Sequence, residues 1–140
     1  MNKNGPVVVI EDDQDDQIIL EEIFKNLNYS NPIVFFSDGD SALDYLNKAE
    51  TIPFLILSDI NMPKIDGFAL RSIIHTNEQL QLKCIPYLFF TTSANKESVV
   101  SAYAMSVQGF FKKPNSFEKL ESTIKKIMDY WKECIAPNEY

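Results

Sequence analysis

Carboxylate, hydroxyl and amine side chains follow four of the short apolar runs in this sequence. Glu11-Asp12 follows the first run, Asp59 the third, Thr91-Thr92 the fourth and Lys113 the fifth. If these runs are parallel strands, their carboxyl ends lie along one edge of a sheet, where open α/β proteins bind ligands. The spacing therefore predicts one site that brings these groups together.

The carboxylates of this group indicate a divalent cation. Three carboxylates within about 4 to 6 Å of one another repel by roughly 4 kcal/mol per pair at an effective dielectric constant near 20. A cation relieves that repulsion, and a site with only oxygen ligands is typical of Mg²⁺, with Mn²⁺ as a substitute. We therefore expect Glu11, Asp12 and Asp59 to surround a metal ion.

The amine and hydroxyl groups are typical of a phosphate site. Lys113 offers a mobile positive charge and a threonine hydroxyl offers a hydrogen-bond donor, and both suit the oxygens of a phosphoryl group. When a metal ion neutralises those oxygens, a carboxylate at the centre of the site is the remaining nucleophile. The sequence predicts Asp59 as the phosphoacceptor, which would form an acyl phosphate.

The elements that must position these residues alternate between strands and helices. Short apolar runs predict five strands, at Val7 to Ile10, Ile33 to Phe36, Phe54 to Leu57, Ile85 to Phe90 and Val107 to Phe111. Caps and helical spacing predict five helices: from the Asp12 to Asp16 caps to about Asn28, from Ser37 through Leu46, from Asp66-Gly67 through Ile74, from Ala94 to Met105, and from Ser116 through Trp131. The alternation predicts an α/β fold with a doubly wound parallel sheet and helices on both faces.

Two connecting segments carry their own expectations. The loop after Asp59 contains Pro63 and Gly67, and Gly67 is expected there because it adopts backbone angles that other residues avoid. Asn77 to Lys83 is polar and is predicted to be a loop.

Length and composition limit the classes of protein that this chain can be. The 140 residues fit one domain, predicted over residues 1–134, with Ile135 to Tyr140 either a frayed tail or, through Pro137 and Tyr140, part of an interface. Thirteen Lys and Arg against twenty Asp and Glu give a net charge of -7, which argues against nucleic acid as a partner. The apolar runs are too short for a signal peptide or a membrane span, so we expect a cytoplasmic protein with no membrane contact. Cys84 and Cys134 match no metal or disulfide spacing.

Four motifs, taken together and in order, resemble the receiver domain of two-component response regulators. They are V-V-V-I-E-D-D, L-I-L-S-D-I-N-M-P-K-I-D-G, F-F-T-T-S-A and G-F-F-K-K-P, and the resemblance runs from Val7 to about Trp131. It implies the flavodoxin-like form of the fold, with five strands in the order 2-1-3-4-5. Glu11 departs from the commonest pattern, in which Asp is frequent, and Phe110 lacks the oxygen of a tyrosine.

The resemblance also implies roles for individual residues. Asp59 would be the phosphoacceptor and a metal ligand, Asp12 a direct ligand, and Glu11 a ligand acting mostly through water. The Asn61 backbone carbonyl would complete the protein ligands, and Lys113 would pair with the phosphoryl group.

Further roles follow from the same resemblance. Thr91 would be the switch hydroxyl and Phe110 the switch aromatic, while Thr92 would lend a backbone N–H to the phosphate. The side chains of Asn61 and Ser93 would border the path of the hydrolytic water and set the lifetime of the acyl phosphate.

The implied function is that of a stand-alone response regulator, phosphorylated by a histidine kinase or a small phosphodonor. It would catalyse its own phosphorylation and slow dephosphorylation without turning over a free substrate. Its output would be a downstream protein, a homodimer, or relay to a histidine phosphotransfer protein. The chain also resembles the small receivers that pair with bacterial phytochrome-type kinases.

The sequence leaves other functions open. A vestigial site would leave a constitutive protein-binding module. A haloacid-dehalogenase phosphatase also uses an Asp nucleophile, but on its first strand, and the four glycines form no dinucleotide motif. His75 is expected at the surface, as are Lys112 and the acidic turn at Asp13, Asp15 and Asp16, which we exclude from the site.

Overall fold

Five parallel strands form one sheet in the order β2-β1-β3-β4-β5, and this computed structural model describes all residues from Met1 to Tyr140. The strands are β1 (Val7–Ile10), β2 (Ile33–Phe36), β3 (Leu55–Ser58), β4 (Tyr87–Thr91) and β5 (Gly109–Lys112). The predicted doubly wound fold and its strand order are confirmed.

Helices follow the strands along the chain. They are α1 (Gln14–Leu27), α2 (Gly39–Leu46), α3 (Gly67–Thr76), α4 (Glu78–Gln81), α5 (Lys96–Ala104) and α6 (Phe117–Glu133). The helix count of five was wrong, because the segment predicted as a loop contains α4. Asn77 caps this single turn by accepting a hydrogen bond from the Leu80 N–H at 3.0 Å, and Leu80 is buried. No helix combines the length and the apolar character that crossing a membrane requires.

The last three strands begin later in the sequence than predicted, at Leu55, Tyr87 and Gly109. Pro86 has no N–H to give to a neighbouring strand, although its carbonyl accepts from Ile56 N at 2.9 Å. The ladder of β4 therefore begins at Tyr87 and includes Thr91, which pairs with Lys112 of β5.

The sheet is covered on both faces because residues of each strand alternate between two cores. Val7 and Val9 of β1 pack into the core shared with α1 and α6. Val8 and Ile10 pack into the core shared with α2, α3 and α5. All four residues of β1 are buried, as expected for a central parallel strand.

The loop between Asp59 and α3 is closed by a close approach at Gly67. Its N–H donates to the Ile60 carbonyl at 2.7 Å, and a Cβ at this position would collide with the Asp59 carbonyl. No glycine in the chain has a positive φ, so the expectation that Gly67 supplies special angles was wrong. Lys64 takes the left-handed conformation in this loop, at φ 67°.

The last residues fold back onto the beginning of the chain and are not frayed as predicted. Ala136 is buried, and Pro137–Glu139 forms one 3₁₀ turn. Lys3 donates from its backbone N–H to Asn138 at 3.3 Å and from Nζ to Glu139 at 3.1 Å.

Candidate functional site

A cluster of three carboxylates lies at the carboxyl edge of the sheet, where β1 and β3 end. Oxygen atoms of Glu11, Asp12 and Asp59 lie within 4.8 Å of one another. Glu11 and Asp59 are buried, at 3% and 9% exposure, whereas Asp12 is exposed. The alternation of strands and helices thus brings together residues that are 48 positions apart in sequence, from Glu11 to Asp59.

Lys113 reaches into this cluster from the end of β5. Its ammonium donates to Glu11 Oε2, and it lies 3.4 Å from Asp59 Oδ2 and 3.3 Å from Asp16 Oδ2. The adjacent Lys112 side chain is exposed, as alternation along a strand requires. Lys113 is therefore the ammonium group that faces the carboxylates.

Asp16 belongs to this site, and its prediction as part of a solvated acidic turn outside the site was wrong. It lies in the first turn of α1, and its carboxylate shares the ammonium of Lys113. Asp13 instead caps α1, accepting from the Asp15 and Asp16 N–H groups.

Burial and charge act in opposite directions on the ionisable groups of the site. Burial raises the pKa of Glu11, and the hydrogen bond and charge of Lys113 offset that only in part. Burial by itself would lower the pKa of Lys113, but the hydrogen bond and charge of Glu11 outweigh it, so the pKa is raised. Lys113 alone therefore does not fully compensate for the burial of the Glu11 carboxylate.

Asp59 is held firmly by the backbone around it. Its Oδ1 accepts from the Ile60 N–H at 2.7 Å, and its own N–H donates to the Ile10 carbonyl at 3.0 Å. This leaves Oδ2 as the oxygen that faces Lys113. The carboxylate is fixed at the junction of β1 and β3 by a short strand-to-loop transition.

The hydroxyl residues after β4 lie next to one another in the following loop. Thr91 is fully buried, and its Oγ1 accepts from the Ser93 N–H at 3.3 Å. Thr92 and Ser93 are exposed, as is Asn61 in the loop after β3. None of these four side chains hydrogen-bonds to the carboxylates.

Phe110 is half-buried on β5 and packs edge-on against Phe89, with 6.0 Å between the ring centroids. Phe89 belongs to the core that lies between the sheet and α3 and α5. His75 is exposed in the last turn of α3, at the opposite end of that helix from the loop that carries Asp59.

The residues of the site suit a hard divalent cation. The Lys113 ammonium contacts the carboxylates of Glu11, Asp16 and Asp59. The Asp12 carboxylate lies within 4.8 Å of those of Glu11 and Asp59, so the side chains available to a cation here are oxygen ligands. Oxygen ligands of this kind are those that Mg²⁺ and Mn²⁺ prefer. A bound cation would reduce both the mutual repulsion of the carboxylates and the free-energy cost of burying the charge of Glu11.

Fold and site together define a flavodoxin-like α/β protein with an acidic site at the carboxyl edge of its sheet. The chain belongs to the response regulator receiver domain family of two-component signalling, whose sequence profile matches residues 7–125. Receiver domains bind divalent metal ions, take phosphate from histidine kinases and act on downstream partners.

Curated relatives of the chain are regulatory proteins of similar length. The probable methanogenesis regulatory protein FilR2 of Methanothrix harundinacea is 33% identical over 129 residues, covering 89% of this chain and 82% of that protein. Response regulator Rcp1 of Synechocystis sp. is 28% identical over 135 residues, covering 93% of this chain and 90% of its own.

Solved structures of phytochrome response regulators have the same fold. The phosphorylated cyanobacterial phytochrome response regulator RcpA superposes with a TM-score of 0.84 at 27% identity, covering 94% of this chain and 97% of its own. The Mn²⁺-bound form of Rcp1 gives a TM-score of 0.81 at 26% identity, with 94% and 96% coverage. The resemblance to small phytochrome-associated receivers is thereby confirmed at the level of sequence and fold.

Proposed function

We propose that this chain is a single-domain response regulator that accepts a phosphoryl group on Asp59 in a Mg²⁺-dependent reaction. The observation that carries the proposal is the position of Lys113. Its ammonium contacts Glu11 and lies 3.4 Å from Asp59 Oδ2, inside the carboxylate cluster. A positive charge beside a fixed carboxylate is the arrangement that a transferring phosphoryl group needs.

In the proposed step, the bond between phosphorus and the imidazole nitrogen of a phosphohistidine breaks while a bond from Asp59 to phosphorus forms. The imidazole nitrogen keeps the electron pair of the broken bond. The Lys113 ammonium pairs with the phosphoryl oxygens, and the backbone N–H of Thr92 donates a hydrogen bond to them. The product is an acyl phosphate on Asp59.

The proposed ligands of the metal ion are Asp12, Asp59, the backbone carbonyl of Asn61, and Glu11 through water. When bound, Mg²⁺, or Mn²⁺ in its place, supplies positive charge that neutralises the carboxylates and the incoming phosphoryl oxygens. The Mn²⁺-bound relative Rcp1 supports this assignment. The Asn61 and Ser93 side chains, both exposed beside the site, are proposed to set the rate of hydrolysis.

The output is a change in the face formed by α5, β5 and α6. The new dianion would draw the Thr91 hydroxyl away from Ser93, and Phe110 would rotate into the space that Thr91 leaves. A histidine kinase is the proposed donor. The altered face would bind a downstream protein, a second copy of the chain, or a histidine phosphotransfer protein.

Incubation with Mg²⁺ and acetyl phosphate, followed by intact mass measurement, tests the proposal. We expect the gain of one phosphoryl group, which disappears when Mg²⁺ is omitted and in Asp59→Asn. Asp44→Asn, at an exposed position of α2, is the matched control and should be phosphorylated normally.

The alternatives give different results in the same system. A folded protein that gains no mass and does not respond to beryllofluoride would be a constitutive binding module with a vestigial site. Loss of the phosphoryl group only when a histidine phosphotransfer protein is added would identify a relay. Light scattering before and after beryllofluoride distinguishes a monomeric output from a homodimer.

A further inference from the structure

A second cleft lies at the opposite end of the sheet from Asp59. It has a volume of about 500 Å³ and is bordered by the end of α3, the segments that precede β4 and β5, and the end of α6. This volume is within the range of small-molecule binding sites in proteins. No residue of the carboxylate cluster lines it.

Arg71 of α3 lines this cleft and is a buried cation without an anionic partner. Only 5% of the residue is exposed, and no Asp or Glu oxygen lies within 4.0 Å of its guanidinium. The guanidinium instead lies over the ring of Tyr87, 5.4 Å from its centroid. Burial lowers the pKa of Arg71.

Two of the three guanidinium nitrogens have a structural role. Nε donates to the Met105 carbonyl at 3.0 Å, and Nη2 donates to the Ser106 carbonyl at 2.8 Å. These carbonyls are at the C-terminal end of α5, where a cation is favourable. Nε and Nη2 therefore cap the C-terminal end of α5, whereas Nη1 takes no part in this capping.

Nη1 is free to bind a ligand. It makes no hydrogen bond within the chain. The one fully buried side-chain polar atom that lacks a partner is Asn31 Oδ1, so Nη1 keeps access to solvent at the surface of the cleft. A buried cation with a free donor edge favours an anion, because burying charge is costly unless it is paired.

The rest of the cleft selects for an apolar body on that anion. Half of the fourteen residues that line it are hydrophobic, among them Ile74, Leu80, Ile85 and Trp131. The amides of Gln81 and Gln108 also line the cleft, but both are engaged by backbone groups of the chain. A small, strongly hydrated anion would therefore gain little from this surface.

We propose that this cleft binds a small organic acid, whose carboxylate contacts Arg71 Nη1 and whose apolar chain or ring packs against the wall beside Trp131. The site is independent of the phosphoryl site at Asp59. Its ligand class is a monocarboxylate with an aliphatic or aromatic body of about ten non-hydrogen atoms, as the volume of the cleft allows.

Trp131 makes the proposal directly testable, because it is the only tryptophan of the chain. Octanoate is titrated while the indole N–H signal of Trp131 is followed by NMR. We expect a saturable shift, with octanamide binding about tenfold more weakly because it lacks the charge that pairs with Arg71. Inorganic phosphate should leave the signal unchanged.

Substitutions separate charge recognition from loss of folding. Arg71→Gln should reduce octanoate affinity to that of octanamide. Because Arg71 also caps α5, His75→Glu is the second variant: His75 is exposed, and its Nδ1 lies 3.4 Å from Arg71 Nη2. Glutamate there would give Arg71 a partner within the chain and weaken octanoate binding about tenfold relative to His75→Gln, which also replaces this residue of the cleft lining but adds no charge. Far-UV circular dichroism and urea unfolding check that each variant is folded.

Three results would overturn the proposal. Equal affinity for octanoate and octanamide would show an apolar cleft without charge recognition. A Trp131 shift with inorganic phosphate would show that the apolar body is not needed. Unchanged octanoate binding in folded His75→Glu and Arg71→Gln proteins would remove Arg71 from the site. Failure of phosphorylation at Asp59 affects none of these measurements.

Discussion

Lys113 is the residue on which the charge balance of the carboxylate cluster depends. Its side chain is 8% exposed and that of Glu11 is 3% exposed, so the two groups form a largely buried ion pair. Removing one partner of such a pair costs more than the pair itself contributes, because the other charge stays buried and unpaired. Asp16 and Asp59 share the same ammonium.

We therefore expect Lys113→Met to destabilise the protein by about 2 kcal/mol in Mg²⁺-free buffer. Fully buried pairs lose roughly 3 to 5 kcal/mol, and this value is lower because the edge of the site is open to solvent. Urea unfolding measures the change, and Mg²⁺ should restore part of it by replacing the missing positive charge.

Lys112→Met is the matched control for this prediction. Lys112 is adjacent in sequence, exposed, and forms no ion pair, so its loss should change the free energy of unfolding by less than about 0.5 kcal/mol. Equal effects of the two substitutions would show that the contacts of Lys113 contribute nothing specific.

The sequence predicted part of this residue-scale arrangement. Strand ends in a parallel sheet share an edge, so the approach of Asp59 to Glu11 and Lys113 followed from the order of apolar runs. Asp16 was missed because a first-turn acid is usually explained by the helix dipole. Gly67 was identified as special for the wrong reason, since it is required by the close approach of Asp59 and not by its own angles.

At the scale of elements, Lys83 joins the segment before β4 to the end of α2. Its ammonium donates to three backbone carbonyls: Leu46 at 2.6 Å, Lys48 at 2.7 Å and Thr51 at 2.8 Å. Leu46 is the last residue of α2, where carbonyls have no partners within the helix and a cation is favourable, and Lys48 and Thr51 lie in the loop that follows. Burial lowers the pKa of Lys83, so the contacts are partly offset by desolvation.

Lys83→Met is expected to lower the free energy of unfolding by about 1 to 2 kcal/mol. The loss is moderate because water can replace the ammonium at the exposed side of the carbonyls. Thermal or urea unfolding measures it. Lys96→Met, at an exposed lysine without side-chain hydrogen bonds or ion pairs, is the control, and a similar loss there would contradict the capping role.

Element boundaries illustrate which local features a single sequence conceals. The helix turn α4 depends on the Asn77 cap and on burial of Leu80 in the core shared with α2, α3 and α5, and neither contact can be predicted from a segment of mostly polar residues. The start of β4 depends on which backbone groups its neighbour β3 offers, and here Ile56 pairs with the carbonyl of Pro86. Long-range pairing of this kind is not encoded in local propensity.

At the scale of the whole molecule, α5 has one end next to the loop of the carboxylate site and the other next to the cleft that Arg71 lines. Its N-terminal end follows the loop that carries Thr91, Thr92 and Ser93, and its C-terminal carbonyls are held by Arg71. Only one residue of this helix, Ala102, is buried, so α5 is held less tightly than α1 or α6. Weak anchoring at its centre leaves α5 free to respond to events at either end.

The proposed switch can be tested by removing one hydroxyl group. In Thr91→Val the side chain keeps its shape but has no donor for the phosphoryl oxygens. Losing a charge-assisted hydrogen bond of about 1.5 to 3 kcal/mol would shift the switch equilibrium by roughly tenfold or more. We expect phosphorylation of Asp59 to persist while the beryllofluoride-induced NMR shifts of Ala102, Gly109 and Phe110 largely disappear.

Thr92→Val is the control, because Thr92 is exposed and contributes only its backbone N–H in the proposed mechanism. Its shifts should match those of the unmodified protein. If Thr91→Val instead keeps the full response of α5 and β5, the signal must travel from Asp59 by another route. The remaining route would run through the loop from Asp59 to Gly67 and the aromatic contact of Phe89 with Phe68 of α3, since Phe89 also touches Phe110.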